Sequence, residues 1–367
     1  MCIPEGRMAS QQSTFDARTV ISRFSHEMKD IKSKEPEEEI LNGSLDRGRF
    51  HPILPQLQDL YLLYKKMQGC LWKAEAFHFS KDLPDFERLR SEERDFVLSV
   101  LAFFAESDNF VNVNIFERFS HDVKCLEARA FYSAQGYDET VHQETYSNAM
   151  DAYVKDPELK ERLSNAIKTI PCIKRKADWM NLWTESVDAP FAVRLVAFAA
   201  VEGIMFSGSF CAIYWLRERN LMPEFCASNH DIARDEGLHT LFACALFKKL
   251  KNRPSTELIH ALISQAVDIE VEFINDSISC SMIGMNRDLM KQYIQFVANR
   301  LLDMLGYTPI YYSDVDKTIP IRCPFNFMEK ISMQVLGNFF EVPPEEYQLA
   351  GVMDHQGHHQ FDVSDDF

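Results

Sequence analysis

Residues 195–216 read LVAFAAVEGIMFSGSFCAIYWL, and the fold turns on what this run is. It is long enough to span a bilayer. Its one charge, Glu202, falls near the middle, where a carboxylate in hydrocarbon is costly, and we read no second run of this kind. A helix buried on all sides within a bundle fits better. Glu202 must then be protonated, paired or bound to a cation. The reading is an all-α bundle with no membrane span.

Composition agrees. Gly is 13 of 367 residues, about half the usual ~7%, while Phe is 28 and hydrophobic residues make up 46%. That apolar content excludes a disordered chain. The net charge of −16 excludes a nucleic-acid binder, which needs clustered Lys and Arg. The short basic run Lys174-Arg175-Lys176 reads as a solvated face. Nine scattered Cys without CxxC spacing fit a reducing compartment, so a cytoplasmic location is expected. Breakers and 3.6-residue periodicity predict helices over 57–78, 92–119, 122–154, 157–168, 189–218, 228–250, 255–282 and 287–306. Residues 1–48 read as a flexible leader without a signal-peptide core, 49–340 as one domain, and 341–367 as a flexible acidic tail. Residues 307–323 read as an irregular or short β insertion.

Glu202 gains meaning from Glu-x-x-His pairs, which put both side chains on one helical face. With 29 Glu and 11 His in 367 positions, chance gives about one pair; the chain has four. Glu257/His260 lies in a helix's first turn, where a Glu favours the macrodipole. Glu75/His78 lies beside Lys73 and Lys81 and reads as surface. The other two share an architecture. Asp108 precedes Glu139/His142, Glu202 precedes Glu236/His239, and both lone acids lie in strongly apolar helices. This is the pattern of a di-metal site in a four-helix bundle. Four carboxylates and two imidazoles suit iron or manganese better than structural zinc, and their charge balances two divalent cations. Tyr146, one turn after His142, stands on the same face; plain core packing is the alternative there. Asp235 is suited to hold the outer nitrogen of a ligand imidazole. Trp72, the one Trp in the first hundred residues, reads by itself as packing.

Several stretches resemble the small subunit of class I ribonucleotide reductase, most nearly the eukaryotic type. They are Glu139-Thr-Val-His-Gln-Glu-Thr-Tyr146, Val196–Gly203, Arg234-Asp-Glu-Gly-Leu-His239, LAFFAESDNFVNVN at 101–114, KADWMNLW at 176–183, SGSF at 207–210, MKQYIQFVANRL at 290–301 and Glu346-Tyr-Gln. The resemblance covers roughly 49–367. It implies a ferritin-like helical bundle with two iron ions per subunit, manganese being possible, held by Asp108, Glu139, His142, Glu202, Glu236 and His239. It implies that Tyr146 becomes a stable tyrosyl radical, shielded by Phe206, Phe210 and Ile232. Trp72, Asp235 and His142 match the route of radical transfer to the surface, and Tyr347 matches the tail tyrosine that relays it. The end of the chain, with Phe361, Asp365, Asp366 and Phe367, resembles the peptide that docks on the large subunit. A large-subunit partner and a homodimer follow, in the service of deoxyribonucleotide synthesis.

Two departures stand out. The segment after Trp72 reads WKAEAFHFSKD, with His78 where the family has an acid, and residues 312–321 are longer than usual. The rivals are a di-iron oxygenase, which would need a substrate tunnel, and an iron-storage bundle. Neither needs Tyr146 together with an acidic docking tail.

Overall fold

The computed structural model describes residues 17–46, 54–277 and 286–328. Tyr347, Phe361, Asp365, Asp366 and Phe367 lie outside them, as does the rest of the proposed tail.

Four long helical runs make the core. Ser91–Asn114 carries Asp108 and packs along Leu126–Tyr153, which carries Glu139, His142 and Tyr146. Phe191–Glu218 carries Glu202 and packs on Pro223–Phe247, which carries Asp235, Glu236 and His239. Thr256–Ser277 and Arg287–Leu305 close the outer side of the second pair. Among the described residues no strand forms. The 307–323 segment is irregular, with one antiparallel bridge between Tyr312 and Pro320.

Residues 191–216 are buried almost throughout, as Glu202 required, and 94% of the most apolar stretch is covered by protein. A second helical run, Ser91–Asp122, is also long and apolar enough to cross a bilayer, which the sequence reading had not counted. It too lies mostly against protein, two thirds of its most apolar stretch being covered.

Boundaries moved where local chemistry overrides periodicity. The run expected over 57–78 is α-helical only at Gln58–Gly69, ending at a residue with poor helix propensity, with a single 3-10 turn following at Ala74–Ala76. A helix at Pro171–Glu185 was not expected; Pro171 sits in its first turn, where no N–H is needed. Both long apolar runs contain a π-helical turn, Ile115–Phe119 and Val201–Met205. Such turns insert a residue and re-aim the side chains that follow.

Two expectations change. Residues 17–46, read as part of a flexible leader, form helices Ala17–Arg23, Ser25–Ser33 and Glu39–Asn42, and bury Val20, Met28, Ile31 and Ile40. Their acids also serve as caps. Glu27 accepts from Ser255 N and Oγ at 2.6 and 2.9 Å, and Glu38 accepts from Lys251 N and Asn252 N at 2.9 and 2.8 Å. A charged run read as mobile is thus a strap whose charges face backbone donors. The second change concerns the basic run. Lys174 pairs with Asp178 on the surface, but Lys176, two residues on, is turned inward and fully buried.

Candidate metal centre

Three helices each direct a carboxylate inward, Glu139, Glu202 and Glu236, and the two Glu-x-x-His pairs add an imidazole each. Glu139, Glu202, Glu236 and His239 offer ligand atoms that all lie within 4.8 Å of one another, and all four are buried. His142 joins them through Nδ1, 3.5 Å from Glu139 Oε2 and 3.4 Å from Glu236 Oε1. On the other side His239 Nδ1 stands 3.1 Å from Glu139 Oε1 and 3.2 Å from Glu236 Oε2. Glu139 and Glu236 therefore each turn one oxygen to each imidazole. Carboxylates so placed can bridge two cations. Glu202 reaches only the His239 side, at 3.4 Å. Asp108 lies on Ser91–Asn114, and its side chain is outside the described set.

The donor set fits divalent metal. Glu139 Oε2, Glu202 Oε2 and His142 Nδ1 are buried and make no hydrogen bond, which is costly unless a cation meets them. Burial pushes Glu202 well above the ordinary carboxylate range, and the Glu236 and Glu139 charges push the same way. Burial alone would lower both imidazoles. The surrounding carboxylates outweigh it and hold His142 and His239 well above their usual range. The cluster demands positive charge, and oxygen-rich ligation with two imidazoles suits iron or manganese.

The outer ring of contacts was partly legible. Asp235 Oδ2 stands 3.3 Å from His142 Nε2 and accepts from the Trp72 indole N–H at 2.7 Å. Its other oxygen accepts from the Arg234 guanidinium at 3.0 Å. Trp72 is half-buried, its ring 5.9 Å from that of His142. The structure thus brings together Trp72, Asp235 and His142. Asp138 was missed. It is buried, with Oδ2 3.9 Å from His239 Nε2, on the outer side of the second imidazole. Its adjacency to Glu139 was the available signal. Gln135, one turn before Glu139, was also missed; its amide N–H reaches Glu139 Oε1 and Glu202 Oε1 at 3.4 and 3.3 Å.

Tyr146 is 1% exposed and donates to Asn229 Oδ1 at 3.0 Å. Phe104 stacks flat on it, with centroids 4.7 Å apart. Phe206 and Phe210 pack on Phe104 rather than stacking on Tyr146 themselves, at 5.4 and 5.1 Å, and Ile232 is buried. Asn229 escaped the sequence reading, although it lies two turns before Glu236, a polar residue on the same face; Phe104 stood there only as part of the apolar stretch 101–114, with no contact to Tyr146 assigned. The two decoy pairs stay out. Glu75 and His78 are exposed, and Glu257 sits exposed in the first turn of its helix while His260 faces Thr308 O at 2.9 Å.

Comparison with known proteins agrees with this geometry. The sequence profile described as "Ribonucleotide reductase, small chain" matches residues 52–320. A Danio rerio protein named ribonucleoside-diphosphate reductase subunit M2 is 46% identical over 351 residues, 96% of this chain and 88% of its own length. The Neurospora crassa ribonucleoside-diphosphate reductase small chain is 49% identical over 324 residues, 88% of this chain and 77% of its own. Among solved structures, the Saccharomyces cerevisiae ribonucleotide reductase Rnr4 homodimer superposes with TM-score 0.76 at 32% identity. That match covers 88% of this chain and all of the yeast chain.

Proposed function

The chain belongs to the ribonucleotide reductase small-chain family, and from that premise we propose that Tyr146 is the residue it oxidises and Trp72–Asp235–His142 the path by which the radical leaves. Its role is that of the small subunit in deoxyribonucleotide synthesis, and as a small subunit it works with a large-subunit partner. The observation that carries the finer reading is the continuous line of contacts from the half-buried Trp72, through Asp235, to an imidazole of the carboxylate cluster.

Glu139, His142, Glu202, Glu236 and His239, with Asp108, would hold two iron ions, which with dioxygen supply the one-electron oxidant for Tyr146. Glu139 and Glu236 fix the spacing of the two positions. Gln135 pins Oε1 of Glu139 and Oε1 of Glu202, leaving the Oε2 atoms without a hydrogen bond. Asp235 orients His142 through Nε2 and holds the Trp72 N–H proton in the same grip, so electron transfer through Trp72 keeps its proton inside a hydrogen bond. Arg234 offsets the Asp235 charge, which would otherwise be buried alone. The stacked Phe104, backed by Phe206 and Phe210, keeps water from the Tyr146 ring.

Tyr347 would carry the radical onward, with Phe361, Asp365, Asp366 and Phe367 docking on the large subunit. The homodimer reading is supported by Val113 and Phe116, which expose apolar surface, Phe116 lying across Gly136 with about half of its surface open. Among the described residues Cys70, Cys125, Cys172, Cys211, Cys226 and Cys244 form no disulfide, consistent with a cytoplasmic setting. The test is reduction of a ribonucleoside diphosphate with each subunit alone and with both. Turnover is expected only with both, and its loss is expected when residues 361–367 are removed. Unchanged turnover after that truncation would overturn the docking role.

A further inference from the structure

The helix that carries Glu202 is broken one turn later, and a buried ion pair fills the break. The π-helical turn Val201–Met205 gives way to Ser207–Glu218 across Phe206. A discontinuity of this kind leaves backbone groups that the regular i to i−4 ladder no longer serves. Here they are met from outside the helix. Lys176, from Pro171–Glu185, donates to Met205 O at 2.6 Å. Glu270, from Thr256–Ser277, accepts the Gly208 N–H on Oε1 at 3.1 Å. The two side chains join at 2.6 Å through Lys176 Nζ and Glu270 Oε2. Ser207 Oγ completes the repair by donating to Ile204 O at 2.6 Å.

The pair is out of water altogether, both side chains fully buried. The ammonium stands 3.5 Å from the Phe103 ring centroid and 4.0 Å from that of Phe273. Burial pushes Lys176 down and Glu270 up, each held back by the charge of the other. A desolvated ion pair is a poor stabiliser compared with packed apolar side chains, so its presence asks for a reason other than core stability. Gly208 points to one: a Cβ there would come within 2.5 Å of Glu270 Oε1 and 2.7 Å of Ile274 Cγ1, so the backbone and the carboxylate meet as closely as they can.

We propose that Lys176 and Glu270 are positioning residues of the metal centre: by bridging Met205 O and Gly208 N they set the break in the helix, and through it the stance of Glu202 and Phe206. Glu202 lies inside the clamped turn. Phe206 lies at the break itself, its ring 5.7 Å from that of Phe103, which also faces the ammonium, and 5.4 Å from Phe104, which stacks on Tyr146. One clamp thus governs a ligand on one side and the wall of the tyrosine pocket on the other. The proposal rests on the reading of Glu202 as a metal ligand.

The test is Mn(II) titration of metal-stripped protein, with free Mn(II) counted by electron paramagnetic resonance. The variants are K176M/E270Q, which removes both charges and the donor to Met205 O, and the milder E270Q, which keeps an acceptor for Gly208. Leu258→Ala, on the Glu270 helix and fully buried, is the control for stability loss alone. The double variant is expected to bind at least one ion about tenfold more weakly, as when an outer partner of a ligand is lost. E270Q should show a smaller loss, and Leu258→Ala should bind as wild type even where its melting temperature falls as far. Hydrogen exchange of amides 204–210 should quicken in the charge variants and not in the control. Should the double variant fail to fold, E270Q with wild-type binding and exchange would overturn the proposal. If wild type bound two ions and the charge variants bound them equally well, the clamp would be core structure only and this proposal alone would fall. If wild type bound no ion, the metal-centre reading would fall and take the proposal with it.

Discussion

Trp72 and Asp235 are 163 residues apart in sequence and 2.7 Å apart in space, joined by the indole N–H and Oδ2. The same oxygen faces His142 Nε2, so one carboxylate serves both a surface-side indole and an inner imidazole. Replacing Trp72 with Phe keeps an aromatic ring but removes the N–H. Turnover with the large subunit should drop to background while the yield of radical on Tyr146 changes little. Asp235→Asn should cost roughly 10–100-fold in activity, the usual cost of losing the outer partner of a ligand histidine. Steady-state turnover and radical yield measured side by side check both variants; full activity in Trp72→Phe would remove it from the path.

The second imidazole has its own outer carboxylate, held more loosely. Asp138 Oδ2 is 3.9 Å from His239 Nε2, against 3.3 Å for the Asp235–His142 contact. Asp138→Asn should therefore weaken metal binding by no more than about tenfold, the low end of such effects, and should leave the Trp72 path intact. A metal titration that shows a larger loss than Asp235→Asn would reverse this order.

Metal uptake should be visible in stability and in protons. A ligand that binds only the folded state stabilises it by about 2.7 kcal/mol at a hundred times its Kd, so Fe(II) under nitrogen should raise the melting temperature and a chelator should reverse the rise. The carboxylates around His142 and His239 hold both imidazoles well above their ordinary range. Protons must leave before nitrogen can bind a cation, so affinity should fall as pH falls and uptake should acidify a weakly buffered solution. Glu139→Ala, which removes one of the two carboxylates that span both imidazoles, should abolish the metal-dependent rise. Calorimetry and a pH indicator read these effects; a melting temperature indifferent to metal would count against the site.

The strap offers a test away from the chemistry. Glu38 is 3% exposed and accepts from Lys251 N, Asn252 N and Asn252 Nδ2. Glu38→Ala leaves these donors without their acceptor and should lower stability by about 2 kcal/mol, with metal stoichiometry unchanged. Denaturant melts beside metal counts decide it. This is also where the sequence was hardest to read. Glu202 was legible because a single charge in an apolar run has few explanations, and the two ligand pairs because i, i+3 spacing is rigid on a helix. Asp235 was legible from its adjacency to Glu236. Glu27 and Glu38 were not, because a charged run gives the same signal whether its acids face water or distant backbone N–H groups. Lys176 failed for the same reason: its neighbours Lys174 and Arg175 are surface residues, and only the rotation of its helix turns it inward. Phe104 was lost among 28 phenylalanines, where composition cannot say which ring stacks on Tyr146.

Tyr146 itself gives the most direct test. Its ring is buried, faces Phe104 at 4.7 Å and lies one turn beyond His142, so an oxidant at the carboxylate cluster has this phenol close at hand. Tyr132 provides an internal contrast. It lies on the same helix and is equally buried, yet its hydroxyl has no hydrogen-bond partner, whereas that of Tyr146 donates to Asn229. Oxidising a phenol at neutral pH requires its proton to move, and a hydroxyl with no acceptor in a dry core cannot release one. Iron-loaded, air-exposed protein should therefore give an electron paramagnetic resonance doublet from a single tyrosine. Tyr146→Phe should erase it and Tyr132→Phe should leave it. Because Phe fills the same volume and keeps a ring to stack on Phe104, the Tyr146 variant should still fold and bind metal. A doublet that survived Tyr146→Phe, or no doublet in fully metallated wild type, would refute the assignment.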